Sequence, residues 1–155
     1  MEIERKYLVR AVPEDLDAFP SSMLEQVYIN FRPAIRIRAY DGASWELTVK
    51  GPGVLAHEEL NLPLSEDAYR RLYEKREGMP IRKRRYRIPL PPYTVELDVF
   101  ESPVRFVMAE VEFPSVEEAD AFVPPAWFGK EVTYNPSYKN TCLAQLGRIA
   151  DPEVP

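Results

Sequence analysis

Cysteine and histidine are nearly missing from this 155-residue chain, which has one of each, Cys142 and His57. A lone thiol makes no internal disulfide and no thiolate cluster for zinc, so Cys142, beside Leu143, reads as a buried and inert side chain. His57 follows the turn Gly51-Pro52-Gly53 and reads as a solvated loop imidazole. Neither supports a catalytic triad. Long apolar runs are absent too: none approaches the roughly 20 residues that a membrane-spanning helix needs, so no membrane partner is expected. Met1 to Val9 mix acids and bases instead of placing a basic stretch before an apolar one, which points to a cytoplasmic protein. Excess positive charge is also lacking. The 25 acidic and 20 basic residues leave a net charge of −5, against a general nucleic-acid binder.

What the chain does have is alternation. Segments with period-2 patterning recur between turn formers, as in a meandering antiparallel sheet. The expected strands are Glu2–Val9, Glu25–Phe31, Ala34–Tyr40, Ser44–Lys50, His57–Leu62, Pro80–Ile88, Tyr93–Phe100 and Val104–Phe113. Asp41-Gly42 suits a tight hairpin, while Gly51-Pro52-Gly53 and Pro89 to Pro92 should interrupt pairing. Ser65 caps an expected helix through Glu77, ended by Gly78. Ser115 with Glu118 forms a capping box for a second helix, which Pro124 stops. Asn135-Pro136 opens a third, carrying Tyr138, Cys142, Leu143 and Leu146. A shorter helical turn follows Pro13, and Trp45 and Trp127 are packing residues. The fold class is thus α+β and β-dominated: an eight-stranded antiparallel closed barrel with about three helices packed outside. We expect one domain over residues 1–150 and a frayed tail at 151–155.

Because successive strand side chains point to opposite faces, residues at i and i+2 share a wall. Glu2, Glu4 and Lys6 align, as do Arg36 with Arg38, Thr48 with Lys50, Lys83 with Arg85, Glu96 with Asp98, and Glu110 with Glu112. The other face carries Ile3, Ile35, Ile37, Leu47, Val49, Val95, Leu97, Val99 and Val111. A solvated face would produce the same alternation on any one strand. Segregation of sign across at least five strands distinguishes this chain. Like charges about 7 Å apart repel by about 0.6 kcal/mol in water and several-fold more where solvent is restricted. An enclosed wall of this kind calls for cations beside the acids and an anion beside the bases, which a metal–polyphosphate ligand supplies. Hard divalent ions suit the carboxylates, and arginine forks with lysine suit phosphate oxygens.

Glu2-Ile3-Glu4-Arg5-Lys6 resembles the ExExK signature of CYTH proteins, the triphosphate tunnel metalloenzymes. Ile35-Arg36-Ile37-Arg38, Leu47-Thr48-Val49-Lys50, Lys83-Arg84-Arg85-Tyr86, Glu96-Leu97-Asp98-Val99-Phe100 and Ala109-Glu110-Val111-Glu112-Phe113 follow in the family's order. The resemblance implies a barrel whose lumen is a charged tunnel, and a divalent-metal-dependent hydrolase of triphosphates. It assigns the anion grip to Lys6, Arg36, Arg38, Lys50, Lys83 and Arg85. Glu2, Glu4, Asp98, Glu110 and Glu112 become ligands for Mg²⁺ or Mn²⁺, with Glu96 and Glu59 as secondary candidates and Lys6 and Glu4 as the catalytic pair. Asn61, where family members often carry an acid, should weaken the metal site. Tyr28 is left to packing and Lys139 to a solvated helix face. Inorganic triphosphate is the preferred substrate; thiamine triphosphate, cyclisation of ATP, and a non-catalytic polyphosphate sensor are the alternatives. A homodimer is the expected assembly, with no nucleic-acid partner.

Overall fold

The computed structural model describes residues 1–155. Its strands are β1 (Glu2–Val9), β2 (Ser21–Phe31), β3 (Ala34–Tyr40), β4 (Ser44–Lys50), β5 (Ala56–His57), β6 (Glu59–Leu64), β7 (Glu77–Leu90), β8 (Tyr93–Ser102), β9 (Phe106–Glu112) and β10 (Phe128–Glu131). Three α-helices, α1 (Glu66–Tyr73), α2 (Val116–Ala121) and α3 (Asn140–Leu146), join them, with 3-10 turns at Leu16–Ala18 and Pro136–Tyr138. The strands pair antiparallel in the order β10-β1-β9-β8-β7-β2-β3-β4-β6, and β5 returns to pair with β1. The expected barrel is therefore nearly closed. Its eight staves match the eight expected strands, with β5 and β6 as two parts of one stave.

That stave is divided because the chain changes partner at Glu58: β6 pairs with β4, whereas β5 pairs with β1 through Glu2↔His57 and Ile3↔Ala56. The Glu4 N–H adds a bond to the Leu55 carbonyl at 3.1 Å. Gly53 feeds this closure at φ 137°, where a β-carbon would strike the Ala56 carbonyl oxygen. Strand β10 is an addition beyond the expected set. Four residues following Pro124-Pro125 are too few to display alternation, yet they pair with β1 at Tyr7↔Glu131 and Val9↔Phe128.

Outward-facing Ile3, Tyr7, Val95, Leu97, Ala109 and Val111 pack with Ala119 of α2. Val27, Ile37 and Ala39 pack with Tyr69 of α1 on another side of the barrel. Trp127 and Trp45 flank these two clusters, as expected. The caps of α1 and α2 form as expected, Ser65 Oγ accepting from the Ala68 N–H and Ser115 Oγ from the Glu118 N–H, both at 3.1 Å.

Helix α3 departs from the expected arrangement. Leu8, Ile81, Phe100 and Met108 share the inward parity of the charged residues, yet they form an apolar cluster with Leu143 and Ala144. The inner wall is thus charged over only part of its length, and α3 covers its apolar end. Helix α3 also begins later than expected, because Asn135 caps the 3-10 turn by accepting from the Ser137 N–H at 3.0 Å. Helix α1 ends at Tyr73 and not at Glu77; Gly78 lies inside β7 at φ 74°, close against the backbone of Ala144. Strand β7 continues through Pro89, since β2 has ended beyond that level and leaves a free edge where a missing N–H is harmless. Residues 151–155, expected to fray, are tied down by Asp151 N–H to Ser137 Oγ at 3.0 Å and Glu153 N–H to the Tyr138 hydroxyl at 2.8 Å. No helix is long and apolar enough to cross a membrane.

Candidate active site

Register decides which charges meet. Across β1 and β9, Glu4 stands opposite Glu112 and Lys6 opposite Glu110; across β8 and β9, Glu96 stands opposite Glu110. Arg85 faces Asp98 between β7 and β8, Arg38 faces Gln26 between β2 and β3, and Lys50 faces Glu59 between β4 and β6. Directly opposed residues on one face are the sheet's interacting pairs. The inner wall therefore contains a matched cation–anion region, an acid-on-acid region, and two arginines, of which Arg36 faces Thr48 and Arg38 faces Gln26 on one side and Glu46 on the other.

Arg36 and Arg38 are only 7% and 5% exposed, and neither forms an ion pair with a carboxylate. Arg38 donates through Nε and Nη2 to Gln26 Oε1 at 2.9 and 2.6 Å, and Arg36 donates through Nη2 to Thr48 Oγ1 at 3.2 Å. Arg36 Nε is buried with no partner at all. Burial and the charges of Arg36 and Arg85 hold Arg38 below the ordinary arginine value. Glu46, opposite Arg38, reaches it only through the Tyr40 hydroxyl, which accepts from Arg38 Nη1 and donates to Glu46 Oε1, each at 3.3 Å. Two buried guanidiniums with no carboxylate in direct contact form an anion site by their electrostatics.

Lys83 and Arg85 are in the opposite situation. Lys83 and Asp98 are completely buried and meet at 2.7 Å. Arg85 clasps Asp98 bidentately, Nε to Oδ1 at 2.8 Å and Nη2 to Oδ2 at 2.9 Å, and reaches Glu96 at 2.8 Å and Glu110 at 3.8 Å. Burial pushes Lys83 down to about 8 despite Asp98, while Asp98 itself, although burial opposes ionisation, is held well below the usual carboxylate range by Arg85 and Lys83. Both oxygens of Asp98 are thereby committed to cations.

At the closing seam of the barrel the acids gather. Glu4 is 8% exposed and pairs with Lys6 at 3.4 Å. Lys50 Nζ lies 3.1 Å from Glu2 and 3.7 Å from Glu59. Burial works against ionisation of Glu4, but Lys6 and Lys50 outweigh it and hold its carboxyl below the ordinary value. Glu112, at the exposed rim, is raised by partial burial and by the charges of Glu2, Glu96, Glu4 and Glu59. Glu59 is raised by burial and by the neighbouring Glu2 carboxyl. His57 is where expectation and structure part: instead of being solvated it is 8% exposed, its Nε2 2.8 Å from Glu2 Oε1. Pairing of β5 with β1 turns it inward, a consequence of closure that its place after a Gly-Pro-Gly turn concealed.

These residues fit a divalent cation. Ligand atoms of Glu2, Glu4 and His57 lie within 4.8 Å of one another, and Glu59 Oε2 is buried without a hydrogen-bond partner. Asn61 is exposed and donates to Glu59 Oε1 at 2.8 Å. The raised carboxyl of Glu112 has a measurable consequence. Its ionised form opposes folding, because a carboxyl whose folded pKa is raised loses stability as pH climbs from its ordinary value through the folded one. Glu112→Gln is expected to raise Tm in EDTA and to lower it relative to the parent in saturating divalent ion, as read by calorimetry under both conditions.

Beside this wall lies a cavity of about 660 Å³, lined by Glu4, Lys6, Arg36 and Lys50 from the barrel and by the start of α3. Tyr28 packs in the apolar cluster, as expected, stacked on Phe31, and its ring also lines the cavity. It stands opposite Arg36 with the same inward parity as Gln26, and the β-bulge follows it, between Tyr28 and Asn30. Cys142 is half-buried in the cavity wall and not fully enclosed; Lys139 lines the cavity instead of facing open water.

Comparison with known proteins gives this geometry a family. The CYTH domain model matches residues 1–131. The inorganic triphosphatase of Nitrosomonas europaea is 38% identical over 148 residues, covering 92% of this chain and 96% of that protein. The inorganic triphosphatase of Acetivibrio thermocellus is 34% identical over 154 residues, covering 93% of each. A solved structure described as the inorganic triphosphatase NE1496 superimposes with a TM-score of 0.68 at 34% identity, covering 93% of this chain and 94% of that one. With its nearly closed barrel, its inward-facing ExExK strand and a family match over most of its length, this chain belongs to the CYTH domain family.

Proposed function

We propose that this chain is a divalent-metal-dependent inorganic triphosphatase, in which water attacks a terminal phosphoryl group and one P–O–P bond is exchanged for two P–OH groups, releasing orthophosphate and pyrophosphate. The observation that carries this reading is the buried pair Arg36 and Arg38, neither in direct contact with a carboxylate, beside carboxylates that repel one another. Both imbalances are relieved by one ligand, a polyphosphate with its cation. Two named inorganic triphosphatases related to this chain over more than nine-tenths of its length support the choice of substrate.

In this reading Arg36 and Arg38 grip the phosphate chain directly, with Lys6 and Lys50 at the junction between the anion region and the acids. Lys83 and Arg85, which the motif assigns to the same grip, act through Asp98: the three form a buried frame that fixes the floor on which the anion rests. Asp98 and Glu110, assigned to metal by resemblance, serve as counter-ions to Lys83, Arg85 and Lys6. Glu2, Glu4, Glu59 and Glu112 would hold the cation, Mg²⁺ or Mn²⁺. When bound, the ion screens charge on the phosphoryl and leaving oxygens and makes water a better nucleophile. The chain's own contribution is preorganisation, since rigid strands present fixed charges in an enclosed lumen and need not reorganise as the P–O bond breaks.

Residues 1–150 act as one unit on a small-molecule anion. A cytoplasmic setting and a homodimeric assembly complete the proposal; the net charge of −5 fits a protein that does not bind nucleic acid. Parallel assays with tripolyphosphate, thiamine triphosphate and ATP, following phosphate, pyrophosphate and cyclic AMP separately, test it. Metal-dependent release of phosphate, fastest from tripolyphosphate, is the expected result. Dominant cyclic AMP, or tight triphosphate binding without turnover in Mg²⁺, Mn²⁺ and Co²⁺, would contradict it.

A further inference from the structure

His57 is the one imidazole among the acids and lysines at the closing seam, and the motif resemblance assigns it nothing. Its Cα pairs with that of Glu2 where β5 meets β1, so both side chains leave the backbone toward the lumen, with Glu4 two residues further along the same wall. The imidazole is fixed there by burial and by a two-residue bridge that closes the barrel, which gives it little freedom to swing away. Its Nε2 stands 2.8 Å from Glu2 Oε1, and a ring nitrogen lies within 4.8 Å of carboxylate oxygens of both Glu2 and Glu4. A histidine that merely buttressed Glu2 from behind would show Nε2 to Glu2 and turn away from Glu4. Two ligands at right angles on one ion at about 2.1 Å are about 3 Å apart, close to the observed separation. Glu59, two residues on and on the same face, keeps its Oε2 buried without a hydrogen bond, with Lys50 Nζ at 3.7 Å.

We infer that His57 is a direct ligand of the catalytic divalent cation through Nε2, so that the site mixes one imidazole nitrogen with carboxylate oxygens and favours Mn²⁺ and later first-row ions over Mg²⁺. This rests on the reading of the lumen as a metal-dependent triphosphatase site and specifies its ion class. An all-oxygen set suits Mg²⁺, which also tolerates little departure from octahedral geometry; a nitrogen donor shifts preference along the Irving–Williams order.

The chain itself supplies a clean probe, because His57 is its only histidine. Untagged full-length protein is prepared with ¹⁴N- or ¹⁵N-labelled histidine, loaded with Mn²⁺, and studied by electron spin-echo and electron–nuclear double resonance spectroscopy. The expected result is a directly bonded nitrogen coupling that changes from ¹⁴N to ¹⁵N with the label. Calorimetric titration of the parent and of His57→Gln gives the second measurement: at least a tenfold loss of Mn²⁺ affinity, within the ~10–100-fold range for disturbed metal shells, against a Mg²⁺ change under ~3-fold. Mn²⁺ bound without histidine coupling, or equal losses for both ions, would overturn ligation by His57 and leave the triphosphatase reading intact. Failure of the parent to bind either ion would overturn both. If His57→Gln does not fold, the labelled parent's spectrum decides alone.

Discussion

Glu4→Gln is expected to lower kcat/KM for tripolyphosphate by about 10²–10³-fold, the range seen when one preorganised electrostatic group is removed from an active site. Glutamine keeps the shape of the side chain and removes its charge, so the change reports on electrostatics and not on packing. Glu4 sits opposite Glu112, 3.4 Å from Lys6, and within ligand distance of the same point as Glu2 and His57. Because the variant weakens cation binding, part of the lost rate is expected to return as divalent ion is raised into the millimolar range and beyond. Lys6→Ala removes a cation whose ammonium is held charged by Glu4 and Glu110 against its own burial, and added metal should not restore it. Steady-state kinetics across a metal titration separates the two. A loss below threefold for Glu4→Gln would place the chemistry elsewhere.

Asp98→Asn is expected to destabilise the protein by about 3–5 kcal/mol, the usual effect of removing one partner from a buried ion pair. Lys83 and Arg85 would be left facing each other inside the barrel, with only Glu96 and the more distant Glu110 as compensation. Urea unfolding at neutral pH gives the number. The pH dependence has a definite sign. A carboxyl held below its ordinary value stabilises the fold above about pH 3.9 and loses that contribution as pH falls below it. The difference between parent and variant should therefore shrink in acid. Adding Lys83→Met to Asp98→Asn should recover part of the stability, since it deletes one of the orphaned charges. A loss under 1 kcal/mol for the single change would mean that Asp98 is not the frame's counter-ion.

Much of this site was legible before any fold was known. The alternation in Glu2-Ile3-Glu4-Arg5-Lys6 and in Ile35-Arg36-Ile37-Arg38 places each charge on one wall, and turn residues separate the eight staves. Register was not legible. The sequence pattern puts Asp98, Glu110 and Glu112 on one face without distinguishing an acid clasped by Arg85 from one confronted by Glu4, yet that distinction separates counter-ions from candidate metal ligands. His57 was misread because closure through two residues leaves no periodic signal. The apolar end of the lumen was missed for a related reason: Leu8, Ile81, Phe100 and Met108 continue the inward parity, but only the position of α3 explains why they are apolar. Local patterning reports which face a residue takes, whereas long-range pairing decides what it meets there.

Isothermal titration of a methylene-bridged triphosphate in Mg²⁺, with the parent and with Arg36→Met/Arg38→Met, tests the central claim most directly. Each buried guanidinium should contribute a charge-assisted interaction of about 1.5–3 kcal/mol. At least a hundredfold loss of affinity in the double variant, with its fold retained, is the result expected if these two arginines hold the anion. Equal affinity in the two proteins would contradict it and would move the anion out of the barrel.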